Sequence, residues 1–234
     1  MQDYNYNPYN GGGQALAAMT SSVMKRVYVK MTLGLLVTAF TAVYCASTSF
    51  INFYITHSWL MWLLIIAEFG IVIGLSGAIR RMSSAAASAL FYLFAVINGM
   101  MFSTLFLAYS PTAMVKTFFI TAGTFGAMSV YGYFTSRDLS RIGSFLFMAL
   151  IGLIIASLVN IFLHSSGLDW LISIAGVFIF VGLTAWDTQQ VKNMAQLAGP
   201  EQAGRLATLG ALTLYLDFIN LFLYLLRFFG GSRD

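Results

Sequence analysis

The chain has 234 residues, 59% hydrophobic and 9% charged, with a formal net charge of +4. A soluble domain carries about 25% charged residues, so the composition excludes an ordinary soluble enzyme and indicates a polytopic membrane protein. No basic cluster interleaved with aromatics is present, which excludes a nucleic-acid surface, and the single Cys45 excludes an intrachain disulfide or a cysteine metal site.

In chain order, residues 1–18 are polar and rich in Asn, Tyr and Gly. The sequence predicts a disordered polar cytoplasmic tail over 1–24 and a seven-helix membrane domain over 25–234. The first apolar run, 31–50, is longer than the core of a signal peptide and is preceded by about 30 polar residues, so it reads as a span. The others are 60–79, 85–108, 112–134, 143–163, 168–189 and 206–229. Short connections join them, except for the polar segment 190–205 with its Gly199-Pro200.

Loop charges set the orientation. One side carries Lys25, Arg26, Lys30, Arg80, Arg81, Arg137, Arg141, Lys192 and Arg205; the other carries only Lys116, Arg227 and Arg233. The bias places the N-terminus in the cytoplasm. Seven spans put the C-terminus outside; a re-entrant last segment would bring it back inside. Small residues in the second, fourth and fifth spans mark helix packing. No internal repeat is evident, which disfavours an inverted-repeat transporter.

Charges within the spans carry the functional signal. Asp217 sits in the last span, where an acid costs roughly 2.5–3.5 kcal/mol on insertion scales. At 100° per residue, Gly210, Thr213, Asp217, Asn220, Tyr224 and Arg227 share an arc of about 100°. This polar face predicts a helix inside the bundle. Asp187, in the sixth span, shares a face with Ser173, Gly176 and Thr184. Counted from the basic end, Asp217 lies about 16 Å deep and Asp187 at most ~10 Å deep. They meet if the seventh helix begins earlier or the preceding loop tucks inward.

Two carboxylates in a low-dielectric site cannot both ionise cheaply and titrate as a pair. Deprotonated, they offer at most four of the six to eight oxygens that Ca²⁺ takes, a weak and transient metal site. The plainer reading makes each a hydrogen-bond acceptor in helix packing. Arg80 and Arg81 anchor the basic end, or one of them pairs with the acids as a latch. Glu68 matches Arg227 in depth, which predicts an outer ion pair. Asp138 reads as a helix cap, and His57 and His164 are too few for a metal site.

Three stretches resemble a known family: GLTAWDTQ at 182–189, GALTLYLDFINLFLYLLR at 210–227 and TAGTFGAMSVYGYFTSRDLS at 121–140. They are similar to the Bax inhibitor-1 (transmembrane Bax-inhibitor-motif) family, in its bacterial branch, over nearly the whole chain after about Lys25. The resemblance implies an all-α membrane protein in a bacterial inner membrane. Its seventh helix would be central and wrapped by the other six. It further implies that Asp187 and Asp217 form the pH sensor of a calcium leak, with Arg80 or Arg81 as latch. No resident cofactor is implied; the partners would be lipid, protons and Ca²⁺, with the protein a monomer or weak oligomer. The family name refers to cell death, for which this sequence carries no separate feature.

Two other functional classes compete. Paired aspartates on the last two helices also occur in intramembrane aspartyl proteases. Their Gly-x-Gly-Asp is here Leu214-Tyr215-Leu216-Asp217 and a Pro-Ala-Leu motif is missing, so no enzyme is expected. A regulator of a membrane protease or stress response, acting by protein binding through the polar N-terminal tail, is the alternative.

Overall fold

Helix starts follow local chemistry. Ser83, Ser110 and Ser165 each accept a backbone N–H from three residues on, from Ala86, Ala113 and Leu168, as N-caps do. Pro111 follows Ser110 in the first helical turn, where its missing N–H has no cost.

The computed structural model describes residues 8–230. Its helices are α1 (Pro8–Ser47), α2 (Phe50–Thr56), α3 (Ser58–Ala78), α4 (Ser84–Phe102), α5 (Leu105–Ala108), α6 (Pro111–Phe134), α7 (Ser140–Leu163), α8 (Ser166–Leu197) and α9 (Ala203–Phe229). The described residues contain no strand. Seven segments are long and apolar enough to cross a membrane: α1, α3, α4 with α5, α6, α7, α8 and α9.

The last helix is the core. About two thirds of its apolar window lies buried, against 6% for α7 and 11% for α3. Its main contacts are with α8, α1, α6 and α4. The wrap is completed from outside by α3, which packs on α4, and α7, which packs on α8. Tyr215 of α9 is fully buried between Phe91 and Phe94. Its hydroxyl bonds Thr38 Oγ1 at 2.7 Å, and Thr38 in turn donates to the Ala95 carbonyl, so one phenol ties α1, α4 and α9.

Three boundaries differ from expectation. Helix α1 begins at Pro8, so most of the segment expected as a disordered tail is helical. Thr20, Val23, Met24, Val27 and Met31 recur at helical spacing and are buried, which gives this extension a packed face. Residues 1–7 lie outside the described residues. The span expected at 85–108 is interrupted at Ser103 and Thr104, whose hydroxyls bond back to the Met100 and Met101 carbonyls. Helix α8 runs eight residues past its expected end at 189, burying Val191 and Ala195, and stops before Gly199-Pro200.

The last correction fixes the depth of the acids. Asp187 lies ten residues before the end of α8, about 15 Å, and Asp217 fourteen residues after the start of α9, about 21 Å. Measured from the shared turn, the two helices bring the acids to similar depth.

Candidate functional site

The packing of α8 on α9 brings Asp187 and Asp217 together, with their carboxyl groups within hydrogen-bonding reach. A hydrogen bond between two carboxyl groups needs a proton on one of them. Asp217 is 4% exposed and its Oδ2 is sealed from the surface without a hydrogen-bond partner. Asp187 is half-buried. Among the described residues no cation forms an ion pair with either acid.

The small and polar residues expected to support the pair have other tasks. Thr184, Thr213 and Asn220 each donate to a carbonyl one turn back in their own helix, at Phe180, Leu209 and Leu216. This uses the hydroxyl hydrogens of both threonines and one amide hydrogen of Asn220. Gly210 is a packing residue: a Cβ there would press on Val191 and Val27, so its absence lets α8 and α1 approach α9.

Nearby cations are held elsewhere. Lys30 directs its ammonium to Ser88 Oγ at 2.6 Å and Thr208 Oγ1 at 2.5 Å, joining α1, α4 and α9. Lys192 donates to the Tyr133 carbonyl at 2.6 Å and lies 5.0 Å from that ring's centroid. A run of hydroxyls reaches α8 beside the acids: Tyr28 Oη to Ser129 Oγ at 2.8 Å, then Ser129 Oγ to Thr188 Oγ1 at 2.9 Å. This run is invisible in the sequence, because its three members lie on three helices.

Arg80 and Arg81 do not pair with the acids here. They follow the end of α3, which packs on α4 rather than on α8. The Arg80 carbonyl accepts from Arg205 Nη1 at 2.7 Å, beside a cavity of about 550 Å³ between the ends of α3 and α8 and the start of α9.

The expected Glu68–Arg227 pair is not formed. Arg227 Nη2 lies 2.7 Å from Asp169 Oδ1, and Asn160 donates to the same oxygen at 3.3 Å. Asp169 occupies the first turn of α8, directly beside the last turn of its antiparallel neighbour α9. Glu68 sits on the outer helix α3, where Asn98 of α4 donates to it at 2.5 Å. The described residues hold no group of three metal-ligating side chains, so a cation at the acids would draw its remaining ligands from hydroxyls, carbonyls or water.

Fold and site together define a seven-helix membrane protein with a buried aspartate pair between its last two helices. Residues 20–234 match the family model described as inhibitor of apoptosis-promoting Bax1, and the chain belongs to this family, that of Bax inhibitor-1. It is 49% identical over 214 residues to the inner membrane protein YbhL of Escherichia coli strain K12, covering 90% of this chain and 92% of that protein. A Rickettsia prowazekii protein is 47% identical over 212 residues, 90% of each chain. One from Deinococcus radiodurans is 46% identical over 213 residues, again 90% of each.

Proposed function

We propose that this protein is a pH-sensitive leak for cations, Ca²⁺ foremost, controlled by Asp187 and Asp217. The observation that supports the reading is the meeting of two carboxyl groups inside the bundle, one of them with an unpartnered oxygen. With one shared proton the acids bond and tie α8 to α9. Without it they carry like charges in a low-dielectric site and repel. The same two charges then form a weak oxygen site for a divalent cation, suited to transit.

The cavity beside Arg80 and Arg205 is the entrance at the basic end, which faces the cytoplasm on the lysine and arginine bias. By likeness to YbhL, the membrane is a bacterial inner membrane. The activity is transport without catalysis, and one copy holds the whole site. Arg80 or Arg81 serves as latch in a conformation where α3 moves toward α8.

The test is Ca²⁺ entry into dye-loaded proteoliposomes for Asp187→Asn, Asp217→Asn and the double variant. Residues that act as one unit are non-additive. The double variant should therefore match the stronger single one. Effects that multiply would assign the acids independent roles and overturn the paired-sensor reading.

A further inference from the structure

We propose that the cleft between α1 and α6 holds one acyl chain of an anionic phospholipid, with its phosphate on Lys25. Helices α1 and α6 both pack on α8 and α9 but stand apart from each other along a lateral cleft of about 590 Å³. Its walls include Tyr28, Leu35 and Phe118, and Phe125 and Phe218 are buried aromatics at its inner side. Tyr28 Oη bonded to Ser129 Oγ is the hydrogen bond that crosses between the two helices.

Three observations point to the occupant. The first is length. The cleft follows α1 from Ser21 to Leu35, and its part inward of Lys25 spans ten residues, about 15 Å, half of the ~30 Å hydrocarbon core and so one leaflet. The second is charge. Lys25 lines the cleft at its basic end, is exposed, and forms no ion pair among the described residues, and no acid lines the cleft. A phosphate at the level of Lys25 meets that ammonium and the aromatic end of α6 at Tyr133 and Phe134, while its chain runs inward along an apolar wall.

The third is Gly126. Glycine inside a helix costs about 1 kcal/mol relative to alanine, and in membranes it is usually offset by close helix contact. A Cβ on Gly126 would meet nothing within 4 Å. Gly126 also lines the cleft, so a larger side chain there would enter it. This inference is independent of the aspartate pair.

The experiment reconstitutes the full chain in nanodiscs of equal dioleoyl phosphatidylglycerol and dioleoyl phosphatidylethanolamine, and counts retained lipid by native mass spectrometry after detergent extraction. Wild type should retain phosphatidylglycerol in excess. Gly126→Phe fills the cleft and should lose the retained lipid. Gly123→Phe adds the same ring on the same helix, also into open space but off the cleft, and should behave as wild type. Lys25→Gln, at an exposed position, should keep the lipid but lower the preference for the anionic one about fivefold. Thermal melts verify that both phenylalanine variants are folded. Retention by Gly126→Phe equal to wild type, equal loss in Gly123→Phe, or an unchanged preference in Lys25→Gln would each overturn the assignment.

Discussion

A Cβ on Gly132 would run into the backbone of Ala185, whereas one on Gly126, earlier in the same helix, would meet open space. Backbone cannot give way as a side chain end can. Gly132→Ala should therefore lower thermal stability in detergent by an overpacking cost of about 1–3 kcal/mol. Gly126→Ala should raise it by up to about 1 kcal/mol from helix propensity. The reverse order would mean that α6 does not dock on α8 through Gly132. The two glycines look alike in the sequence, since spacing alone does not tell which one faces a neighbour. The two aspartates were legible because a charge inside an apolar run carries a cost that composition makes visible. Asp169 was not, because an acid in the first turn of a helix is ordinary and says nothing of an arginine on the next helix.

At the scale of elements, the seven spans were legible from hydropathy, while their ends were not. Helices α1 and α8 both continue beyond the apolar runs as amphipathic turns whose buried residues are few and spaced. In α1 these are Thr20, Val23 and Met24, set among polar neighbours that read as a tail. Removal of residues 1–24 tests this directly. A disordered tail would leave the melting temperature unchanged. A packed extension predicts a clear fall, with Val23 and Met24 each contributing about 1.5–3 kcal/mol where they are withdrawn from water. The extension of α8 has a larger consequence, because it carries Asp187 about 15 Å from the turn, closer to the ~21 Å depth of Asp217. The outer pairing of Glu68 with Arg227 was expected from depth alone; depth is blind to which helices are neighbours, and α3 is separated from the end of α9.

For the whole molecule, the proposed function has one pair of acids couple proton binding to a cation path through the bundle. The Asp138 carboxyl should not mimic this. Asp138, outside the spans, accepts the Ser140 N–H at 2.9 Å, and its hydrogen bonds to Ser140 hold its carboxyl below its usual range. A folded-state value below the unfolded one contributes stability that is complete above about pH 4 and lost only as pH falls further. Asp138 precedes Leu139, the N-cap of α7, and its hydrogen bond to Ser140 is therefore constant across a neutral titration. The most direct measurement is Ca²⁺ entry into proteoliposomes from about pH 5 to about pH 8, for wild type and Asp217→Asn. The wild-type leak should change with pH and that of the variant should not. A leak absent at every pH, or a variant that keeps the wild-type profile, would contradict this coupling and favour a regulatory role through protein partners.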